Sequence, residues 1–149
     1  MSFLDTNRER ANLSEKSYER RSSSDPEWAE LKRKVDARDK RCCQFEKCLS
    51  AKEFYMLKKG TPLSVDRAHI FSAAHFPDLI YEPKNVITLK RYIHRRMDDY
   101  ESPLNGRPLG VNEHFYWWYR ILMKRPIEYD SNTDYELELR KIIWPKDSI

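Results

Sequence analysis

The apolar residues near the start of the chain recur with a helical period. Trp28, Leu31 and Val35 are spaced to share one helix face, which we expect to point toward the core. Residues 24–27 precede this face and supply a Ser or Asp cap and a proline for the first turn. The pattern therefore predicts a helix that ends within residues 39–41.

A period of two replaces the helical period between Leu63 and Ile70. Strand geometry would place Arg67 and His69 on one face of this segment, and Asp66 and Ala68 on the other. The alternation predicts a strand over residues 65–70 that carries a histidine near its end.

A second apolar run, residues 86–89, is short and β-branched, which predicts a partner strand. Residues 90–100 then predict a helix, in which His94 and Asp98 lie one turn apart on the same face. The connection at residues 71–84 contains aromatic residues and prolines, so we expect it to pack against the protein.

The last third of the chain predicts two more helices after a turn-rich stretch at residues 101–110. Asn112 is the predicted cap of a helix that runs through Met123, and residues 133–144 predict the final helix. The apolar face expected for the first of these helices comprises Phe115, Trp118, Tyr119 and Leu122. We expect this face to pack in the core or at a dimer contact, although bases can stack on such aromatics.

The composition is that of a chain with one folded domain. The 149 residues, 40% of them hydrophobic, predict one domain over residues 25–149, with a core at about 63–100 and a helical extension at 111–149. Residues 1–24 mix charges with Ser and Asn and predict a mobile arm. The net charge of +4 is compatible with a polyanionic partner but does not require one.

Neither a membrane span of ~18 apolar residues nor the apolar centre of a signal peptide is recognisable, so we expect a cytoplasmic protein without a membrane partner. Three cysteines, Cys42, Cys43 and Cys48, lie close together, and this clustering favours a reducing compartment. Two of them have knuckle-like spacing, but no second pair follows. We therefore expect buried thiols rather than structural zinc, and a fold held by packing alone.

The central stretch offers groups suited to hydrolysing a phosphodiester. This reaction requires an activated water and neutralisation of charge on the phosphate and the leaving oxygen. A neutral imidazole can activate the water, and a divalent ion can neutralise the charge. A lone histidine on a strand is more often structural, so the order of His69, Asn85 and His94 along the chain is the informative feature.

This order resembles the HNH, or ββα-metal, endonuclease family, including members encoded by bacteriophages. The resemblance rests on Trp28, Arg38-Asp39, Cys43, Cys48, Asp66-Arg67-Ala68-His69-Ile70, Asn85, and His94 followed by Arg95-Arg96-Met97-Asp98. It implies an α+β fold whose core is two short antiparallel strands and a helix, surrounded by additional helices.

The resemblance also implies roles for individual residues. His69 would be the general base, Asn85 would support the loop that carries it, and His94 would bind the metal with Asp66 or Asp98 assisting. The arginines that flank this site are candidates for phosphate contacts: Arg67, which we group with the catalytic residues, and Arg91, Arg95 and Arg96. His75 and His114 are expected to be structural.

Two departures from the family pattern matter. One is the zinc knuckle: where the family often has CxxCH, this chain has residues 90–94 (KRYIH), so the second cysteine pair is absent. The other concerns the metal ligands. Many members have an Asp or His immediately before the base, where this chain has Ala68. The DRAH string also resembles the DRGH string of related non-specific nucleases, in which the aspartate supports the base and an asparagine binds the metal. On that pattern Asn85 would be a ligand and Asp66 a support for the base.

The resemblance implies a metal-dependent DNA endonuclease or nickase, encoded by a phage and active in the bacterial cytoplasm. Mg²⁺ is the expected ion, with Mn²⁺, Ni²⁺ or Zn²⁺ as alternatives. A phage or host protein could direct it to its target, because no separate sequence-reading module is evident. The alternatives are a non-catalytic nucleic-acid-binding or assembly protein on a degenerate HNH scaffold, and a nuclease that acts on RNA.

Overall fold

The structure, a computed structural model, describes residues 25–57 and 59–144. In this part of the chain it has five α-helices and one two-stranded sheet, which confirms the α+β class. In chain order they are α1 (Pro26–Asp39), α2 (Ala51–Tyr55), β1 (Val65–His69), β2 (Val86–Lys90), α3 (Arg91–Asp98), α4 (Val111–Met123) and α5 (Tyr135–Ile143). The predicted arm at residues 1–24 lies outside the described residues. No helix among those described is both long and apolar enough to cross a membrane.

The first helix has the predicted ends, whereas the start of α4 differs from the prediction. Asp25 caps α1 by accepting a hydrogen bond from the Glu27 N–H at 3.0 Å. The helix α4 begins after Gly110, so the prediction that Asn112 caps it was wrong. The Asn112 side chain instead accepts a bond from the Tyr135 N–H, at the start of α5.

The two strands pair antiparallel, and the second strand leads directly into α3. The Ile70 N–H donates to the Asn85 carbonyl oxygen at 2.9 Å at one end of the pair. At the other end, the Arg91 N–H donates to the Ser64 carbonyl oxygen at 3.0 Å. This arrangement gives the chain order strand, loop, strand, helix that the central stretch predicted.

The chain divides into two compact units, each made from two sections of the sequence. Of the described residues, the first unit contains 25–42 and 67–88, and the second contains 43–57, 59–66 and 89–144. In the first unit, Leu31 and Val35 of α1 pack with Val86 of β2, and Trp28 covers them. A single functional domain over residues 25–149 stays a prediction.

A buried carboxylate joins α1 to β2 inside the first unit. Asp39 accepts hydrogen bonds from the Thr88 N–H at 3.0 Å and from the Arg38 guanidinium at 2.8 and 2.9 Å. Burial raises the pKa of Asp39, but the bonds from Arg38 and Thr88 outweigh it, so its net pKa is lowered. Arg38 also donates to the carbonyl oxygens of Pro83 and Val86, at 2.7 and 2.6 Å.

A buried arginine joins α4 to the cysteine-containing segment inside the second unit. The Arg120 side chain is only 4% exposed and donates to both carboxylate oxygens of Glu53, at 2.6 and 2.8 Å, and to the Cys48 carbonyl oxygen. The buried face of α4 includes Phe115 and Trp118 as predicted. Trp117 and Ile121 complete it, whereas the predicted Tyr119 and Leu122 are only partly buried. Core packing of this aromatic helix is therefore confirmed.

Polar contacts hold the cysteine segment in addition to packing. The Lys90 N–H, at the junction of β2 and α3, donates to the Cys43 sulfur at 3.2 Å. The Lys90 ammonium group also pairs with Glu46 at 2.8 Å. Burial raises the pKa of the Cys48 thiol to about 12 and also raises that of Cys43, which opposes thiolate formation at neutral pH.

Replacing Arg120 with Ala should destabilise the protein by about 3 kcal/mol, because Glu53 and the Cys48 carbonyl lose buried partners. Urea unfolding measures this change. The matched control is Arg33→Ala, which removes a similar Arg–Glu contact from the exposed surface of α1. We expect no measurable loss from the control, since exposed ion pairs contribute little. Equal effects of the two substitutions would contradict the structural role assigned to Arg120.

Candidate functional site

His69 is the last residue of β1 and lies in the first unit. Its Nε2 atom is 3.0 Å from the Ile80 carbonyl oxygen. A carbonyl oxygen only accepts hydrogen bonds, so Nε2 carries the proton in this contact. In the neutral ring the lone pair then lies on Nδ1, which is the tautomer that a base acting through Nδ1 requires.

The Trp28 ring lies beside His69, with the ring centroids 6.4 Å apart and the planes 26° apart. Trp28 comes from α1 and also covers the core of this unit. One side of the imidazole is therefore backed by an apolar ring, while Nε2 is held by the loop between the strands.

Asn85 fixes the same loop. Its side chain is fully buried, and its amide oxygen accepts a hydrogen bond from the Phe71 N–H at 2.8 Å. Its amide nitrogen donates to the carbonyl oxygens of Phe71 and Leu79, at 3.0 and 3.3 Å. Leu79 immediately precedes Ile80, whose carbonyl holds His69. This geometry favours the loop-supporting role of Asn85 over the metal-ligand role.

Arg67, which lies two residues before His69 on β1, forms an ion pair with α1. Its Nε and Nη2 atoms donate to the two carboxylate oxygens of Asp36 at 3.0 and 2.6 Å. The side chain is 17% exposed. Part of its hydrogen-bonding capacity is therefore used within the fold, and a catalytic or phosphate-binding role for Arg67 stays a prediction.

His94 lies in the second unit between two carboxylates. Its Nδ1 atom is 3.1 Å from Asp66 Oδ2, and its Nε2 atom is 3.4 Å from Asp98 Oδ2. The contact with Asp98 follows from the one-turn spacing on α3 and confirms that these side chains share a face. The contact with Asp66 joins β1 to α3.

The electrostatics of this group follow from the contacts of His94 with two carboxyl groups. The hydrogen bond from His94, assisted by Arg91, lowers the pKa of Asp66 to about 2, so Asp66 is an anion at neutral pH. When His94 donates from Nδ1 to Asp66, a neutral ring turns its Nε2 lone pair toward Asp98. Burial raises the pKa of Asp98. The two groups can therefore be joined by a proton on Nε2, by a proton on the Asp98 carboxyl, or by a metal ion.

The donor set fits a divalent ion with few protein ligands. Among the described residues, no group of three or more His, Cys, Asp or Glu side chains is arranged to hold a metal. His94 Nε2 and Asp98 nevertheless offer an imidazole and a carboxylate side by side. Mg²⁺ commonly binds one or two carboxylates and completes its coordination with water and phosphate oxygens.

The other predicted arginines differ in their contacts within the protein and in their exposure. Arg91 donates to Asp66 at 3.1 and 3.2 Å but remains 53% exposed. Arg96 donates to the Pro103 carbonyl oxygen and lies over the Tyr92 ring, whereas Arg95 is exposed. Contacts of all three with nucleic acid stay predictions.

The two remaining histidines, His75 and His114, contact other residues than the candidate site residues do. His114 is buried, its Nε2 accepts a bond from the Trp118 ring N–H, and its ring stacks on Tyr100 at 3.7 Å. Burial lowers the pKa of His114 to about 3. His75 is exposed and contacts Ser72. His114 therefore has the expected structural position.

Sequence reasoning missed three groups that position the candidate residues. Asp36 holds Arg67, the Ile80 carbonyl holds His69, and Trp28 contacts His69 although only its core role was predicted. Trp28 and Asp36 lie eight residues apart on α1, close to two helical turns. This spacing could have indicated that both side chains lie toward the same strand. A backbone carbonyl leaves no signal in residue type.

Comparison of the chain with models of known protein families, with curated protein sequences and with solved structures found no match.

Replacing Asn85 with Ala should cost about 1–3 kcal/mol of unfolding free energy, because three buried backbone groups lose their partner. Chemical denaturation measures the change. The control is Asn105→Ala, which removes an exposed contact to the Arg107 N–H and should stay within about 0.5 kcal/mol of wild type. An Asn85 variant as stable as the control would mean that this amide does not hold the loop.

Proposed function

We propose that this protein is a metal-dependent endonuclease of the HNH type that hydrolyses phosphodiester bonds in DNA. One observation carries the proposal. Both histidines of the ordered motif have one ring nitrogen fixed by an acceptor, His69 by the Ile80 carbonyl and His94 by Asp66. Such contacts set the tautomer and ring orientation of a catalytic base or a metal ligand.

In this proposal His69 is the general base. Its Nδ1 atom takes a proton from the attacking water, while Nε2–H remains bonded to the Ile80 carbonyl. The positive charge that forms on the ring is then stabilised by that carbonyl dipole. Asn85 acts as a positioning residue, because it holds the backbone on both sides of this loop.

His94 and Asp98 would hold the divalent ion, and Asp66 would orient His94. The ion would supply charge neutralisation at the phosphate and at the leaving oxygen. The assignment of Asp66 as a support follows from its contact with Nδ1, which leaves Nε2 on the side of Asp98. Asp98 therefore takes the place of the ligand that the family has immediately before the base, where this chain has the buried Ala68.

Mg²⁺ remains the expected ion, but the mixed donor set widens the choice. Carboxylates suit Mg²⁺ and Mn²⁺, whereas imidazole suits Ni²⁺ and Zn²⁺. Arg91, Arg95 and Arg96 would contribute phosphate contacts from α3, the helix that carries His94. DNA is the expected substrate, and RNA is the alternative that a direct comparison of the two polymers separates.

Plasmid cleavage tests the proposal. Wild-type protein with Mg²⁺, Mn²⁺ or Ni²⁺ should convert supercoiled plasmid to nicked or linear forms. His69→Ala should lower the rate by about 10²–10⁴-fold, which is the contribution of a positioned general base. His94→Ala should also lower activity and should raise the metal concentration required, because it removes a proposed ligand.

His75→Ala is the matched control, since it removes an exposed histidine that lies only six residues from His69 in sequence. It should cleave like wild type. Supercoiled plasmid that survives with every ion would disprove the catalytic proposal. Retained DNA binding in that case would favour the non-catalytic scaffold, for which Ala68 is the structural argument.

A further inference from the structure

The segment from Glu46 to Leu63 exposes an unusual amount of apolar surface. Nine large apolar side chains are exposed in the described part of the chain, and four of them belong to this segment: Phe54, Tyr55, Met56 and Leu63. Tyr55 is 81% exposed and Leu63 is 82% exposed. Apolar side chains gathered on a surface commonly mark a binding site.

The charge that this segment presents to solvent is positive. Its sequence contains four lysines and two glutamates. Glu46 pairs with Lys90 at 2.8 Å, and Glu53 pairs with Arg120 at 2.6 Å, so both acidic side chains are neutralised within the fold. The described lysines of the segment, in contrast, are exposed: Lys47, Lys52 and Lys59.

The helix α2 fixes how these side chains are displayed. A capping box begins it, in which the Glu53 N–H donates to the Ser50 hydroxyl and the Ser50 N–H donates to the Glu53 carboxylate. Because Glu53 is also held by Arg120, the helix is tied to the buried side of the unit. Helical spacing then puts Lys52 and Tyr55 on the same face.

We propose that this lysine–aromatic surface, formed by Lys47, Lys52, Phe54, Tyr55, Met56 and Lys59, binds a single strand of DNA. Unstacked bases would stack on the exposed aromatic rings, and the lysines would contact the phosphates on either side. A duplex keeps its bases stacked and would leave the aromatic rings unused. The choice of DNA as the polyanion rests on the proposed nuclease function.

Fluorescence anisotropy with a labelled oligothymidylate measures this binding. The full chain is used in EDTA, so that no cleavage occurs, over a series of salt concentrations. Tyr55→Ala should weaken binding on the order of tenfold without changing its salt dependence, because it removes stacking but no charge. Lys52→Ala/Lys59→Ala should weaken binding and reduce the slope of log K against log salt by about 1.4, or ~0.7 for each lost phosphate contact.

The matched control is Lys34→Ala/Lys84→Ala, which removes two exposed lysines from elsewhere on the surface. It should keep the wild-type affinity and salt slope. Circular dichroism on each variant establishes that the fold is retained. Wild-type affinity in the Tyr55 and Lys52/Lys59 variants would overturn the proposal, as would a wild-type protein that binds no single strand.

Two other occupants would also overturn it. If the surface variants bind the single strand normally but no longer bind phosphatidylglycerol vesicles that wild type binds, the surface belongs to a membrane contact. If these variants bind the strand normally but lose a self-association that wild type shows in sedimentation, the surface contacts a second copy of the chain.

The plasmid assay separates this proposal from the proposed function. If wild type cuts no plasmid but the surface variants weaken strand binding as stated, the nuclease proposal fails and the surface stands. If wild type cuts and the variants bind normally, only the surface proposal fails.

Discussion

Antiparallel pairing of two five-residue strands is the constraint on which the contacts of His69 and those of His94 both depend. So short a pair is marginal by itself and needs a packed face to persist. Its register brings the loop after β1 beside Asn85, which closes that loop with three buried hydrogen bonds. At the other end it brings Asp66 to the start of α3, where His94 and Arg91 contact it.

Buried polar contacts supply connections that a minimal sheet and short helices lack. Asp39 joins α1 to β2 in one unit, and Arg120 joins α4 to the segment of Glu53 in the other. Lys90, at the junction of β2 and α3, makes a further connection, because it contacts both Cys43 and Glu46. These contacts are costly to break and fix geometry more than they add stability. The contacts of Lys90 and Arg120 also neutralise Glu46 and Glu53, which would otherwise reduce the positive charge of the lysine–aromatic surface.

The sequence predicted the features that depend on local spacing. The strand that ends at His69, the partner strand after Asn85, and the one-turn separation of His94 from Asp98 all follow from short periods. Contacts between elements distant in sequence were not predictable in this way. The use of Asp66 to orient His94 depends on where β1 meets α3, and the pairing of Arg67 with Asp36 depends on how α1 lies against β1. The capping prediction for Asn112 was wrong for the same reason, since its side chain accepts a hydrogen bond from the start of α5 rather than from its own helix.

Under the proposed function, Asp66 turns His94 so that its Nε2 atom, with Asp98, holds a divalent ion. Anomalous diffraction from crystals soaked in Mn²⁺ tests it most directly. We expect a peak at coordination distance from His94 Nε2, with an Asp98 oxygen as a second ligand and Asp66 still bonded to Nδ1. An ion bound through Asp66 or Asn85 without His94, or crystals with no peak at His94 although Mn²⁺ supports cleavage, would contradict it.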